Sequence, residues 1–551
     1  MDNCKLQVDN IYWERIQLFI EGHSKNIKIT NKDFILRDVS GIKEVKANDV
    51  ETNGNYFKAR FNIAILDDGN YLPSGEYLFI YKNNIEYIAQ INENLINPKR
   101  YILSKKQWEK YSVLEKINDK RNYLLSYFRN EFQKNGDPKK TKYIVQPTTS
   151  ISSKNFVLLI IFKKPQYKEK KRKINKLNIR DILFKFIFNI SKKLYSRKSN
   201  VILFTSDSRA EMSGNFYFVY KEILRQNLDS KYRLHSFFKS KILGRRNFID
   251  KFKFPYLLGK ADYIFIDDFH PAFYKVNFRK NQEIIQLWHA VGAFKTVGFS
   301  RAGKIGGPFF DSLNHRTYTK VYVSSEKDVL YYAEAFGVKE QNVIPTGIPR
   351  TDILFDKNYK EKTIFRMKNK MPCIREKKVI LFAPTFRGNS HNTAYYPFHK
   401  INLSMLADYC QENNVIVLFK MHPFIQNSLH IPLKYKKYLK DVSNIREVND
   451  LFFISDILIS DYSSLIYEFA IFKRPMLFYA FDLEDYIASR DFYEPYEEFV
   501  PGKIVENFDD LLKSLKHNDF EEEKIDRFLK KHYKYYDGKA SERIVQDLFG
   551  R

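Results

Sequence analysis

The chain has 551 residues, 44% of them hydrophobic, so it is too long for one core and too apolar to be disordered as a whole. Lysine and arginine outnumber aspartate and glutamate by 93 to 65, a formal net charge of +28. This excess favours an anionic partner (nucleic acid, an anionic membrane or a phosphate-rich substrate) over a basic surface that is only solvated.

The N-terminus has no apolar signal core. The longest apolar run, FVLLIIF at 156–162, is far shorter than the roughly 20 residues of a spanning helix. Cys4, Cys373 and Cys410 are far apart and lack metal-site spacing, which argues against a disulfide framework and fits a reducing compartment. We therefore expect a cytoplasmic protein without a bound metal, with peripheral membrane contact at most.

Residues 1–162 alternate short apolar runs with turn signals. RIQLFIEG, FKARFNIAILDDGNYL and GEYLFIYKNNIEYIAQI are typical of strands, with DDGN and KNN as turns. Helical patterning follows near 105–135, and NFVLLIIF is interpreted as a last strand. The pattern predicts a small β-rich N-terminal domain.

The next segment, 163–199, is a basic linker. Residues 163–200 hold fourteen lysines and arginines against Glu169 and Asp181. Apolar side chains recur within it at helical spacing: Leu183, Phe186, Ile187, Ile190 and Leu194. An apolar stripe flanked by lysines suits a helix lying on an anionic bilayer. The alternative is an ordinary linker helix that packs on a domain.

From residue 200 onward, continuous apolar strands alternate with helical patterning. One series is NVILFTSD, ADYIFIDD, EIIQLWH and KVYVSS; the second is KKVILFAPT, NVIVLFKMHP, DILISD and PMLFYAFD. Such strands indicate parallel sheets covered on both faces. The sequence therefore predicts an α/β protein, with a pair of doubly wound parallel-sheet halves at 200–355 and 356–551 behind the β-rich domain.

Polar side chains stand at the ends of these strands, where ligands of open α/β sheets bind. Lys420 and His422 end one strand, which Pro423 stops, and Trp288 and His289 end another. A lone histidine is more often structural. Two at strand ends of different halves predict a pair facing an interdomain cleft.

Other strand ends add residues suited to phosphate. Ser463 and Ser464 precede a helix containing Glu468, and offer hydroxyls and free backbone N–H groups, although a simple N-cap is the alternative. The remaining candidates follow other strands: Arg350, Pro384, Thr385 and Arg387. No Walker-type loop and no G-x-G-x-x-G fingerprint appears. Together these residues favour a nucleotide-linked donor held between the two halves.

At these residues the sequence resembles a known family. WHAVGAFKTVG, PTGIPRTD, ILFAPTFRG, LFKMHP and LISDYSSLIYEFA are similar, in order, to motifs of the CDP-glycerol glycerophosphotransferases and CDP-ribitol ribitolphosphotransferases of wall teichoic acid synthesis. This resemblance covers roughly 200–545. The front region, from IYWERIQLFIEGHS to LFTSDSRAEMSGNF, resembles the long ribitol-phosphate polymerases of the family, whereas its shorter primases lack that added domain.

The resemblance implies a GT-B-like region, with the acceptor on the first half and the donor on the second. It implies that His289 is the general base and that His422 is a second essential histidine near the donor diphosphate. Matching donor-contacting positions are Arg350, Pro384, Thr385, Lys420, Met421, Ser463, Ser464 and Glu468. Trp288 and Arg387 complete the expected substrate-binding set. Ala290 replaces the glycine of many relatives, and Glu468 replaces their aspartate.

The implied reaction transfers ribitol phosphate from CDP-ribitol, a substrate, to a lipid-linked polyanionic teichoic acid, with no cofactor. It takes place at the cytoplasmic face of the membrane, which the basic segment contacts. No nucleic-acid module is recognised, and self-association is left open. Alternatives are a CDP-glycerol-dependent glycerophosphotransferase, a membrane-bound GT-B glycosyltransferase and a non-catalytic basic scaffold.

Overall fold

Three β-sheets form the framework of the protein. The computed structural model describes residues 5–30, 32–101, 103–115, 120–150, 154–165, 176–239, 247–388 and 393–550. Part of the predicted basic linker, 166–175, lies outside the described residues.

The N-terminal part is built on an 11-stranded sheet with the order β5-β6-β2-β1-β8-β7-β11-β10-β9, where β3 pairs with β4 and β7. Its elements are β1 (Lys5–Glu14), β2 (Gln17–Lys25), β3 (Phe34–Asp38), β4 (Glu44–Lys46), β5 (Asp49–Asn53), β6 (Tyr56–Asn62), β7 (Gly75–Lys82), β8 (Glu86–Ile91), α1 (Lys105–Glu115), α2 (Lys120–Leu125), β9 (Asn130–Gln133), β10 (Lys142–Thr149) and β11 (Phe156–Lys163). The predicted β-rich domain is thus confirmed. Its core also takes in Phe299, Phe309 and Phe310 from the following α/β half.

The first α/β half has a six-stranded, all-parallel sheet with the order β13-β12-β14-β15-β16-β17. The helix of the basic segment and the elements of this half are α3 (Lys176–Leu194), β12 (Val201–Ser206), α4 (Asn215–Arg225), β13 (Arg233–Phe238), α5 (Asp250–Lys260), β14 (Tyr263–Ile266), β15 (Glu283–Gln286), β16 (Lys320–Val323), α6 (Glu326–Phe336) and β17 (Val343–Pro345). The central strands are buried over almost their whole length, as is usual for a parallel sheet that is covered on both faces.

The second half repeats the design with the order β20-β19-β18-β21-β22-β23, again all parallel. Its elements are α7 (Lys357–Lys370), β18 (Lys378–Phe382), α8 (Leu403–Glu412), β19 (Val415–Phe419), β20 (Leu439–Asp441), α9 (Val448–Ile454), β21 (Ile457–Ser460), α10 (Leu465–Ala470), β22 (Met476–Tyr479), α11 (Leu483–Arg490), α12 (Tyr496–Phe499), β23 (Lys503–Val505), α13 (Phe508–His517), α14 (Glu523–His532) and α15 (Ala540–Phe549). The predicted pair of doubly wound halves is confirmed.

The last helix, α15, returns to the first half. Ile544 and Val545 are buried in one cluster with Ile202 and Phe204 of β12. Asp352 accepts hydrogen bonds from the first backbone N–H groups of α15, at 2.9 and 2.8 Å. A carboxylate at a helix N-terminus is favourable, so this contact fixes where α15 crosses.

Helix α3 has two apolar faces. The narrow face packs on α5: Phe188 is buried, Ser191 Oγ donates to the Tyr256 carbonyl at 2.7 Å, and Gly259 leaves room for the close approach. The broad face exposes Ile179, Ile182, Leu183, Phe186, Ile190 and Leu194. Of the predicted stripe, only Ile187 is partly buried. No helix among the described residues is long and apolar enough to cross a membrane.

A buried ion pair joins the N-terminal sheet to α6. Glu334 is fully buried and accepts from Arg15 Nε at 2.7 Å and from Gln17 Nε2 at 2.9 Å. The Arg15 guanidinium also lies 5.1 Å from the ring centroid of Tyr493 in the second half. This pair therefore sits where all three parts of the chain meet.

We predict that Glu334→Ala destabilises the protein by about 3–5 kcal/mol, because it leaves the Arg15 charge buried and unpaired. Urea unfolding followed by circular dichroism measures the loss. Asp68→Ala is the control, since Asp68 makes an exposed ion pair with Lys339 across the same boundary, at 2.9 Å. The control should leave the transition almost unchanged. Equal effects of the two substitutions would contradict the role of the buried pair.

Candidate active site

The predicted base His289 stands where β15 ends. Trp288 is buried with a left-handed backbone, φ 49°, a conformation that costs energy in a bulky residue. Asn215 holds this turn, donating from Nδ2 to the Trp288 carbonyl at 2.7 Å. The His289 ring therefore points outward, 49% exposed, and its Nδ1 lies 3.6 Å from Oδ1 of Asp268, just after β14. Asp268 is placed to orient the ring.

The loop that follows His289 enters the second half. Gly292 passes so close to Tyr467 that a Cβ atom would lie 2.3 Å from its ring. Phe294 is buried in the core of the second half, stacked on Phe492 with ring centroids 4.7 Å apart. Ala293 N–H donates to the Asp328 carboxylate at 3.0 Å. The loop thereby fixes His289 relative to the second half.

Arg350 connects the histidine loop to the second half. Its Nη1 donates to the His289 carbonyl at 2.8 Å, and its Nε lies 2.9 Å from Oε1 of Glu468. Asn215 Oδ1 accepts from the Arg350 backbone N–H at 3.0 Å. Glu468 is buried rather than facing solvent; burial raises the pKa of its carboxyl, and Arg350 opposes that rise.

An interdomain cleft of about 1140 Å³ opens beside this pair. A cavity of this size suits a nucleotide. Side chains from both halves line it, among them Arg209, Tyr217, Lys221, Arg350, Arg446 and Glu468. The two predicted histidines do not line the cleft; Arg350 links it to His289.

Lys420, Met421 and His422 follow β19 as predicted. Lys420 is buried, donates from Nζ to the Ser443 carbonyl at 2.9 Å, and has its pKa lowered by burial. Met421 N–H donates to Ser443 Oγ at 3.0 Å.

Burial, reinforced by Lys295 and Lys420, lowers the pKa of His422 to about 4. His422 Nδ1 accepts from the Phe424 N–H at 3.2 Å, which assigns the ring proton to Nε2. His422 is thus a neutral hydrogen-bond donor.

Asp461 organises the neighbouring strand ends. It accepts from the Thr385 N–H at 2.7 Å and from Arg387 Nη1 at 2.8 Å. Arg387 is buried and donates also to the Asp482 carboxylate. Pro384 is buried beside them. Because the Arg387 guanidinium already donates to two carboxylates, it holds these strand ends together. A contact between Arg387 and substrate stays a prediction.

The serine pair precedes the short helix α10. Ser463 Oγ accepts from the Leu465 N–H at 3.4 Å, a weak bond. Ser464 occupies the N-cap position, yet its side chain makes no capping hydrogen bond. The alternative of a simple N-cap therefore does not account for Ser464.

Three residues near this site escaped the sequence reasoning: Asn215, Asp268 and Lys295. They lie within the stretches SGNF, ADYIFIDD and WHAVGAFKTVG, but none carries a distinguishing local pattern. Their roles arise from contacts between distant segments. In the described part of the chain, no group of three His, Cys, Asp or Glu side chains is arranged to hold a metal ion.

A sequence profile described as CDP-glycerol:poly(glycerophosphate) glycerophosphotransferase matches residues 186–550. The chain belongs to this family. The resemblance inferred from the motifs is therefore confirmed.

Relatives extend the match over the whole chain. The teichoic acid ribitol-phosphate polymerase TarL of Staphylococcus aureus is 56% identical, covering 100% of both chains. TarK of the same organism, also a ribitol-phosphate polymerase by name, is 56% identical over 91% of this chain and 100% of its own. The solved wall teichoic acid polymerase TagF, 24% identical, superposes with a TM-score of 0.53 over 68% of this chain and 97% of its own. That likeness confirms the GT-B-like fold.

We predict that His422 of this glycerophosphotransferase-family protein titrates near pH 4. The ordinary pKa of histidine is 6.5. Between pH 6.5 and about 4, His422 therefore binds a proton in the unfolded chain but not in the folded chain. The stability due to neutral His422 is therefore lost as pH falls from 6.5 toward 4. Histidine-labelled NMR, assigned with His422→Gln, measures the midpoint. A midpoint near 6.5 would contradict the burial argument.

Proposed function

We propose that this protein is a polymerase that transfers ribitol phosphate from CDP-ribitol to the end of a lipid-linked teichoic acid chain, releasing CMP. The observation that carries the proposal is the 56% identity with a ribitol-phosphate polymerase along the entire chain, N-terminal domain included. The cleft between the halves supports it, because it is large enough for a nucleotide and Arg350 on its wall contacts the loop of His289.

In the proposed mechanism His289 is the general base. Asp268 faces Nδ1, so Nε2 is free to take the proton from the terminal hydroxyl of the acceptor. The oxygen then attacks the β-phosphorus of CDP-ribitol. The bond from that phosphorus to the bridging oxygen breaks, CMP leaves with the electron pair, and a new phosphodiester lengthens the chain by one unit.

The second half supplies the charge stabilisation. His422 donates from Nε2 toward the phosphates, and Lys420 adds positive charge behind it. Ser463 and Ser464 present hydroxyls at the start of α10. Hydrogen bonds hold His422 and Lys420 in place before substrate binds, so these two groups stabilise developing charge without reorganising.

We also propose that the protein is peripheral at the cytoplasmic face of the membrane. The broad apolar face of α3 is exposed, and lysines flank it. The net charge of +28 favours both an anionic bilayer and a polyanionic acceptor. One basic surface would then hold the membrane and the growing polymer together.

A second candidate is a CDP-glycerol-dependent transferase, which the description of the matching family favours. The mechanism would be unchanged, and only the polyol would differ. A sugar-nucleotide glycosyltransferase and a non-catalytic scaffold remain as the further alternatives.

The first measurement is CMP release from CDP-ribitol and from CDP-glycerol, each with a primed lipid-linked acceptor. We expect turnover of CDP-ribitol. His289→Ala and His422→Ala should each lower it by about 10²–10⁴-fold, because they remove the base and a charge-stabilising donor. His430→Ala, which changes an exposed histidine in the segment between β19 and β20, is the matched control and should keep full activity.

The outcomes separate the candidates. Turnover of CDP-glycerol alone would agree with the mechanism but show that the transferred polyol is glycerol and not ribitol. Release of nucleotide from UDP-sugars instead would indicate a glycosyltransferase. If folded wild-type protein turns over none of these donors in the presence of a verified acceptor, the result would favour the non-catalytic scaffold.

We predict that the double variant Phe186→Ser/Leu194→Ser binds anionic vesicles at least about tenfold more weakly, because each buried side chain of this size contributes about 1.5–3 kcal/mol. Vesicle co-sedimentation measures the loss. The matched control is Phe365→Ser/Leu433→Ser, which removes equally exposed apolar side chains elsewhere. Unchanged binding by the α3 variant would exclude α3 as the membrane contact.

A further inference from the structure

Three cations near His422 lack an anionic partner within the described residues. Lys420 Nζ donates to a carbonyl, Arg490 Nη2 donates to the Gly388 carbonyl at 3.1 Å, and Lys295 Nζ lies 5.1 Å from the ring centroid of Tyr486. None of the three pairs with a carboxylate. Arg350 and Arg387, by contrast, are matched to buried carboxylates.

Lys295 belongs to the loop of His289 but lies in the second half. Its backbone forms an isolated bridge with Phe492, and the side chain is half-buried. Tyr486 beneath its ammonium stacks on Tyr462 with ring centroids 3.9 Å apart. Tyr462 directly precedes the serine pair. The stacked tyrosines thus connect Lys295 to the segment that leads into α10.

The other groups around Lys295 leave its charge uncompensated. Burial lowers the pKa of Lys295 to about 7; Asp461 opposes this, and Arg490 and Arg387 add to it. Asp461 is already bonded to Arg387 and to backbone N–H groups. The Lys295 charge in turn helps lower the pKa of His422. A half-buried cation without a partner is costly, and such a site is suited to an anion.

We propose that Lys295 is a donor-binding residue whose ammonium contacts the diphosphate of the CDP-linked donor. The inference rests on the proposed function. Because Lys295 and His289 share one loop, the donor would hold the loop that carries the base. The ammonium also stands ready to stabilise negative charge on the phosphates as CMP leaves.

The test is calorimetric titration of the full chain with CDP-ribitol, CDP-glycerol and cytidine. We expect Lys295→Met to weaken binding of the better CDP-polyol about ten- to hundredfold, the usual effect of losing a hydrogen bond to a charged group. Cytidine lacks the diphosphate and therefore cannot make this contact. The affinity of Lys295→Met for cytidine should stay within about twofold of the wild-type value. Lys295→Arg should restore most of the affinity. Lys304→Gln, an exposed lysine paired with Asp491, is the control.

Each outcome decides between the two claims. A folded wild type that binds neither CDP-polyol overturns the proposed function. Wild-type binding that Lys295→Met leaves unchanged overturns the role of Lys295 alone. Equal loss of CDP-polyol and cytidine binding would make Lys295 structural, which also overturns the inference.

A pH series keeps the proposal testable if Lys295→Met fails to fold. The groups facing Lys295 are Asp461, Arg387, Arg490, His422 and Tyr486. Wild-type affinity for the CDP-polyol should fall as pH rises above about 7, because the lysine loses its proton. Lys295→Arg should lack this fall. A flat wild-type profile between pH 6 and 9 would overturn the inference.

Discussion

The site depends on the close contact between Gly292 and Tyr467. No side chain fits there, since a Cβ atom would stand 2.3 Å from the ring. This contact lets a loop of the first half enter the core of the second, where Phe294 is anchored. His289 lies at one end of the loop and Lys295 toward the other. The position of His289 relative to Lys295 is therefore set by packing that involves neither side chain directly.

Charge is distributed unevenly around this loop. Arg350 with Glu468, and Arg387 with Asp461 and Asp482, form buried pairs that hold segments together. Buried pairs of this kind contribute mainly geometry, because desolvation offsets most of their attraction. Lys295, Lys420 and Arg490 have no such partners within the described residues. The paired cations hold segments together, and the unpaired ones leave positive charge near His422 that would suit a diphosphate.

The remaining parts of the molecule attach to this catalytic pair of halves. The N-terminal sheet is fixed through Arg15 and Glu334, and shares its core with Phe299, Phe309 and Phe310. Helix α3 packs by one face and presents the other to its surroundings. A polymerase that acts on a lipid-linked polyanion needs a rigid framework and a basic surface that binds anions. The N-terminal sheet would provide the first and helix α3 the second.

Local sequence patterns were sufficient to predict the α/β class, the central strands and the residues at their ends. Short continuous apolar runs such as VIVLF in β19 are typical of a strand buried on both faces. The edge strands β13, β17, β20 and β23 escaped prediction because they are half-exposed or only three residues long. Their apolar pattern is too weak to detect locally.

Which polar residues are committed to buried ion pairs depended on the tertiary structure. Arg387 was expected at the substrate, yet it is buried between two carboxylates that come from distant strand ends. Lys295, Asp268 and Asn215 were unremarkable in sequence because their partners lie far along the chain. Local patterning reports burial and turns, whereas the pairing of charges is a property of how separate segments meet.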